Sequence, residues 1–213
     1  MHPTVIRRFA ASARVACAVY LARVAHSAHG RTRAAAAALG TAACAACVGW
    51  LLAGCSPAYN WRTVNDNVAG YAIDLPAKPT LDERALDIAG TPMRMRVRAA
   101  NAQEAVFAVG TIALPSDDPQ LQRAVLDFLR AGLARNVGAS ADARATEIPL
   151  AAGGQVPGLE IDVSGNAGAG REHRTIHALL VARGKHVYQA AIIAGREPPR
   201  EQVDQFFQSF KLF

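Results

Sequence analysis

Apolar and polar positions from about residue 70 to the C-terminus are arranged mainly as in β-strands. Residues 71–75 alternate between the two classes and stop at Pro76, and they predict an edge strand because proline cannot donate to a β-ladder. Residues 105–114 form an almost unbroken apolar run, which is typical of a central strand covered on both faces. Shorter runs predict further strands at 145–150, 159–164, 174–182 and 186–194.

A hairpin is predicted from residues 83–88 and 93–97, with its two-residue turn at 90–91. In that register Ile88 would face Met93 across the hairpin. The opposite face of the hairpin would then pair carboxylates with arginines.

The second strand of this hairpin carries an arginine at every other position. Such a row could bind the phosphates of lipid headgroups. In the predicted register, however, Asp87 and Glu83 lie opposite two of the three arginines, which favours a solvated face of ion pairs. The three residues are Arg94, Arg96 and Arg98.

Two segments show the 3.6-residue periodicity of amphipathic helices. The first follows a capping sequence at 116–119 and continues to Gly138, where glycine predicts the helix end. The second opens at 197–199 and carries an apolar stripe that must dock on a sheet. The stripe consists of Val203, Phe206, Phe207 and Phe210. Together these elements predict one α+β domain over residues 70–213, with a mainly antiparallel sheet and two principal helices.

The first 55 residues have the pattern of an export signal. Residues 34–53 are uncharged and rich in alanine, and they follow two arginines, as an apolar h-region follows a basic n-region. The segment closes with Leu52, Ala53, Gly54 and Cys55. These four residues resemble the lipobox of bacterial lipoproteins, whose cysteine accepts a diacylglyceryl group. The resemblance implies a signal peptide over 1–54, followed by a lipidated Cys55 and a polar tether over 55–69.

An uncleaved transmembrane anchor is the alternative, since about 20 apolar residues can span a bilayer. Alanine and glycine contribute less to insertion than leucine or phenylalanine, which favours cleavage. Both interpretations place the domain outside the cytoplasm. By resemblance to lipoprotein sorting in Gram-negative bacteria, Ser56 favours the periplasmic face of the outer membrane over the inner membrane. Residues 1–30 exceed what export requires, and a start codon assigned too far upstream would explain them.

Charge and cysteine content distinguish the leader from the domain. Of 23 Lys and Arg residues six precede Cys55, whereas none of the 17 acidic residues does, which leaves 17 of each sign after it. A domain without net charge is not expected to bind nucleic acid. All four cysteines lie in the first 55 residues, so no disulfide is possible in the domain. Cys44 and Cys47 have C-x-x-C spacing, but their apolar surroundings favour an inert role.

Four segments spread over the domain carry a family resemblance. They read GYAIDLPAKP at 70–79, ARNVG at 134–138, HVYQ at 186–189 and FFQSFKL at 206–212. In this order and spacing they resemble the PsbP-like family, which includes small bacterial envelope lipoproteins of the DcrB kind. The resemblance implies an α/β/α sandwich around an antiparallel sheet. It does not imply an enzyme, because the comparable members are assembly or accessory factors or are uncharacterised.

Three histidines of the domain are candidate metal ligands or bases: His173, His177 and His186. His173 and His177 would share a strand face about 13 Å apart, too far to bind one zinc ion. A turn at 183–184 would place His186 opposite Val181, also away from His177. No metal or other cofactor is therefore expected, apart from the covalent lipid.

Two carboxylates, Glu160 and Asp162, share one face of a predicted strand and could act as an acid/base pair. Simple alternation in a half-exposed strand gives the same pattern, which favours a non-catalytic role.

We expect a non-catalytic binding or assembly factor of the cell envelope with an unidentified protein partner. A carrier of a small or lipidic ligand is the alternative, and a hydrolase based on His173 or His177 is a third possibility.

Overall fold

The computed structural model describes residues 58–167 and 172–213. The predicted signal peptide, the lipobox and Cys55 lie outside these ranges. Within them the chain forms ten strands and two helices. They are β1 (Arg62–Asp66), β2 (Tyr71–Leu75), β3 (Thr80–Ile88), β4 (Thr91–Ala102), β5 (Ala105–Ala113), α1 (Pro119–Val137), β6 (Ala143–Pro149), β7 (Gln155–Ala167), β8 (Glu172–Arg183), β9 (His186–Ala194), α2 (Arg200–Ser209) and β10 (Lys211–Leu212).

Seven strands form one antiparallel sheet in the order β3-β4-β5-β9-β8-β7-β6. Strand β5 lies inside this sheet, as its apolar run predicts. Its side chains alternate between the two faces: Phe107 and Val109 enter one core, and Ile112 enters the other. The predicted α+β class, with two helices and a mainly antiparallel sheet, is confirmed at this level of detail within the described residues.

Helix α1 covers one face of the large sheet. Its ends are set by local signals: the Asp118 side chain accepts a hydrogen bond from Gln120 N (2.9 Å), Pro119 occupies the first turn, and Gly138 ends the helix with φ +64°. Leu129 and Leu133 are buried and pack against apolar side chains of the sheet. The predicted helix and both of its ends are confirmed.

The opposite face is covered by helix α2 and by a second sheet in the order β1-β2-β10. Phe206 and Phe210 of the predicted stripe are fully buried at 0% exposure, while Phe207 is half-buried. The ring of Phe206 meets that of Phe107 edge-on at 5.4 Å between centroids. The predicted docking of this helix on the sheet is therefore confirmed. No helix in the described part is both long and apolar enough to cross a membrane.

Two predictions at the N-terminal end of the domain are wrong. Strand β2 is not an edge strand, because β1 pairs with one side of it and β10 with the other. The expected tether over 55–69 contains strand β1. Because the side chains of β1 are mostly exposed, the sequence of this strand lacks the alternation of apolar and polar residues by which a strand is recognised.

The β3–β4 hairpin is confirmed, but its register differs from the predicted one by two residues. Ile88 pairs with Thr91, and the turn is Ala89-Gly90. Both turn residues have positive φ (+53° and +76°), which a tight hairpin turn requires and which a β-branched threonine would adopt at higher cost. A shift of two residues leaves every side chain on its predicted face.

The β8–β9 turn also differs from the expected one. Arg183 pairs with His186, so that the turn is Gly184-Lys185 rather than 183–184. His186 therefore lies opposite Arg183 and not opposite Val181. The residue with positive φ in this turn is Gly184, at +54°.

Candidate binding cleft and the adjoining ion-pair network

An open cleft of about 470 Å³ lies at one end of the large sheet. Three segments line it: residues 58–59 before β1, the β4–β5 turn with Ala105, and the loop 196–199 between β9 and α2. This volume lies within the range of sites that bind small molecules. The cleft is therefore the candidate binding site of the domain.

Aromatic packing holds the N-terminal wall of the cleft in place. The Tyr59 ring meets Phe107 edge-on at 6.2 Å and stacks on Trp61 at 6.1 Å. Trp61 also meets Phe107 edge-on at 5.9 Å, and its indole N–H donates to Gln202 Oε1 at 3.1 Å. Asn60 N donates to the carbonyl of Pro76 at 2.7 Å. Residues 59–61 are thus part of the fold.

The other two walls are joined by a backbone hydrogen bond. Gly195 N donates to the carbonyl of Glu104 at 3.3 Å, which connects the loop after β9 to the β4–β5 turn. Gln103 adopts a positive φ of +54° in that two-residue turn. Pro198 is buried, and Pro199 directly precedes helix α2 with φ −53°. Two consecutive prolines restrict the backbone of this wall.

His177 of β8 connects the cleft to an ion-pair network. Its Nδ1 lies 2.6 Å from Asp162 Oδ1, and its Nε2 lies 2.7 Å from Oε1 of Glu197, a residue that lines the cleft. Asp162 faces His177 across the β7–β8 pair and also contacts Arg144 of β6. The network therefore joins three strands to the loop that precedes α2.

The geometry around His177 suits a protonated ring, because each ring nitrogen lies at hydrogen-bond distance from a carboxylate oxygen and both nitrogens can donate in that form. Burial by itself lowers the pKa of His177, but the hydrogen bond to Asp162 and the charge and hydrogen bond of Glu197 outweigh it and raise the pKa above its ordinary value. A ring in this state is an ion-pair partner and not a free general base.

The same geometry does not suit a metal ion. The two carboxylates contact opposite nitrogens of one ring, so that they cannot converge on one cation with His177. No group of three or more His, Cys, Asp or Glu side chains that could hold a metal is present in the described ranges.

The other candidate residues from the sequence lie elsewhere. His173 faces Asn166 across β7–β8, and the His186 ring lies 5.9 Å from that of Tyr188, so the three histidines form no cluster. Arg144 lies 3.6 Å from Glu160 and also contacts Asp162, so that these two carboxylates, considered above as an acid/base pair, are ion-pair partners. The contact between Glu197 and His177 could not be predicted from the sequence, because it joins a loop to a strand and no fixed spacing relates the two residues.

The arginine row of β4 forms ion pairs, as predicted, but with different partners. Arg94 and Arg96 both approach Glu83, at 3.8 and 3.1 Å. Arg98 pairs at 3.1 Å with Asp66 at the end of β1. Burial by itself raises the pKa of Asp66, but the Ala69 N–H and the Arg98 guanidinium hold it below its ordinary value. This ion pair joins the small sheet to the large one.

A second, shallower depression of about 330 Å³ lies beside α2 and β2. Its polar groups already bind one another: Ser209 Oγ accepts from Asp74 N at 2.8 Å and donates to the carbonyl of Phe206 at 2.7 Å. Gln205 donates to the Asp74 carboxylate at 2.8 Å. These bonds fix α2 on the small sheet, and the depression has a structural explanation.

Comparison with protein-family models gave no match to the chain. A search of curated proteins also found no significant match. The function is therefore inferred from the residues and from their geometry.

Proposed function

We propose that the chain is the precursor of a bacterial envelope lipoprotein. In this proposal the signal peptide 1–54 is removed and Cys55 is acylated, so that the domain faces the periplasm, at the outer membrane rather than the inner one. The lipobox residues Leu52, Ala53 and Gly54 support it, as does the charge distribution, with every acidic residue after Cys55. Two or three acyl chains would hold the domain firmly, because each buried methylene contributes about 0.8 kcal/mol.

The proposed fold of the domain is the α/β/α sandwich of the PsbP-like family. The placement of α1 and α2 on opposite faces of one antiparallel sheet supports this proposal. The small sheet β1-β2-β10 shares a layer with α2.

The proposed activity is non-catalytic binding, and the composition of the cleft is the observation that carries it. None of its nine lining residues is a serine, threonine, cysteine, lysine or histidine, and its groups that could act as acids or bases are limited to Tyr59, Glu104 and Glu197. Of its charged groups, Glu197 is already paired with His177. The cleft thus offers shape, one aromatic ring and a few charges to a bound group.

A carrier of a small or lipidic ligand is the second candidate function, and the volume of the cleft favours it. The hydrolase alternative is weakened for His177, because both of its ring nitrogens are occupied by carboxylates, and for His173, because this residue does not line the cleft. An accessory factor and a carrier would both use the same cleft, and they differ in whether the occupant is a protein or a small molecule.

Inhibition of the lipoprotein signal peptidase tests the anchor. Globomycin should cause a larger, membrane-bound precursor to accumulate in cells. The Cys55→Ser variant should lose lipidation, while the Cys47→Ser variant, a matched control in the leader, should be processed normally. A chain whose size and membrane association are the same with or without Cys55 would overturn the proposal.

Crosslinking in intact cells, followed by mass spectrometry, tests the accessory role. We expect a reproducible envelope protein with crosslinks to the carboxylates of Glu104 or Glu197 at the cleft. If instead a small molecule co-purifies in native mass spectrometry and no protein is crosslinked, the carrier function replaces the accessory one. If neither is found, the binding proposal is wrong.

A further inference from the structure

Contacts of the fold are already present within four residues of the proposed lipidation site. Tyr59 already packs on Phe107, and Ala58 already lines the cleft. Only three peptide steps separate Ala58 from Cys55. At full extension these steps span about 11 Å. This distance is little more than the headgroup layer of one leaflet, which is roughly 5–8 Å thick.

This short connection determines which end of the domain lies at the membrane. The cleft, the β4–β5 turn and the start of α2 lie at the end of the sheet where the chain enters the fold. The β8–β9 turn lies at the opposite end, because Ala105 pairs with Ala194 whereas Ala113 pairs with His186. The eight residue steps of β5 separate the two ends by about 27 Å.

We propose that this end of the domain, with the open cleft, contacts the phospholipid headgroups of the membrane that holds the anchor. The inference rests on the proposed lipidation of Cys55, and it names the surface to which the cleft opens. Whatever enters the cleft then does so at the level of the headgroups.

Two arginines at this end can reach lipid phosphates, although the cleft is also lined by Glu104 and by Glu197, which is paired with His177. Arg196 lines the cleft, and Arg62 begins β1 next to Trp61; both are exposed. Within the part of the chain that the structure describes, neither arginine has a carboxylate at ion-pair distance, whereas Arg94, Arg96 and Arg98 all do. Arginine and tyrosine side chains at a membrane interface can reach phosphates and the polar edge of the acyl layer.

Two matched single-cysteine variants test the orientation. Glu104 and Lys185 are each the exposed second residue of a two-residue turn, at opposite ends of the sheet. The sequence after Cys55 contains no other cysteine, and an acylated Cys55 has no free thiol. The variants E104C and K185C therefore each carry one fluorophore, at a known end of the domain.

The measurement uses the mature lipoprotein in vesicles of phosphatidylcholine and phosphatidylglycerol that contain a lipid with a spin-labelled headgroup. Quenching of the fluorophore at position 104 should be roughly threefold or more stronger than at position 185, since the two sites differ by much more than the headgroup thickness. Equal quenching, or stronger quenching at position 185, would overturn the orientation. Weak quenching at both positions would also overturn it, because the cleft would then face a protein or water instead of the headgroups.

A mass measurement on the same preparations separates the two proposals. If the purified protein carries no acyl chains, the lipoprotein proposal has failed. If it is acylated but the two positions are quenched alike, only the orientation has failed. Circular dichroism of both variants should match that of the unsubstituted protein, because both substitutions change exposed turn side chains.

Discussion

Replacing Trp61 by alanine should destabilise the domain substantially, although the sequence places this residue in a polar tether. The substitution removes an edge-on contact with Phe107 and a stacked contact with Tyr59. Each such contact contributes about 0.5–1.5 kcal/mol. The hydrogen bond to Gln202 contributes about 1 kcal/mol more. The free energy of unfolding should therefore fall by about 3 kcal/mol, a large part of the 5–15 kcal/mol that is usual for a domain.

Urea denaturation followed by far-ultraviolet circular dichroism measures this loss. With a slope of about 2 kcal/mol per molar urea, the midpoint should fall by roughly 1.5 M. The variant Trp61→Phe keeps an aromatic ring and loses mainly the hydrogen bond, so its midpoint should fall by about 0.5 M. A midpoint of W61A equal to that of the unsubstituted protein would show that Trp61 does not stabilise the fold and belongs to the tether instead.

Three further predictions follow from the core and from the ion-pair network. Because the pKa of His177 is raised in the folded state, its ion pairs stabilise the domain fully below about pH 6.5. This stabilisation is lost as the pH rises through the pKa of the folded state. The urea midpoint of the unsubstituted protein should therefore decline with rising pH, and that of H177Q should decline much less. Phe206→Ala should cost about 3–5 kcal/mol in calorimetry, and Phe207→Ala, at a half-buried site, clearly less. Gly165→Ala should lower the melting temperature, because the new Cβ would overlap the carbonyl oxygen of Val137; unchanged melting would contradict the packing of α1 on β7.

The sequence predicts best the elements whose ends are determined by neighbouring residues. Helix α1 begins after Asp118 and Pro119 and ends at Gly138, and each of these residues acts within one turn of its own position. Strand β5 is predicted equally well, because both of its faces are buried and its apolar run is continuous. A strand that is buried on both faces has a continuous apolar run, which can be recognised in the sequence without knowing the partner strands.

Elements that depend on distant residues are predicted poorly. Strand β1 is mostly exposed, and its attachment to the fold depends on Trp61 against Phe107 and on Asp66 against Arg98. The register of the β3–β4 hairpin depends on Ala89, a residue without a preference for positive φ.

The candidate site was predicted only in part for the same reason. The sequence identifies Asp162 and His177 as polar residues of strands, but their pairing depends on the register between β7 and β8. Glu197 reaches His177 from a loop after β9, and no fixed spacing connects them. The cleft itself is formed by three segments that are far apart in the chain.

The N-terminal tryptic peptide of the protein, purified from cell membranes, tests the lipoprotein proposal most directly. Trypsin cleaves after arginine, and in this region Arg33 and Arg62 are consecutive arginines with no lysine between them. A processed lipoprotein should give a peptide of residues 55–62 whose mass includes a diacylglyceryl group on Cys55, with or without a third acyl chain on its new amino group. An unmodified peptide of residues 34–62 would show that the chain is neither cut nor acylated at Cys55, and the lipoprotein proposal would then be wrong.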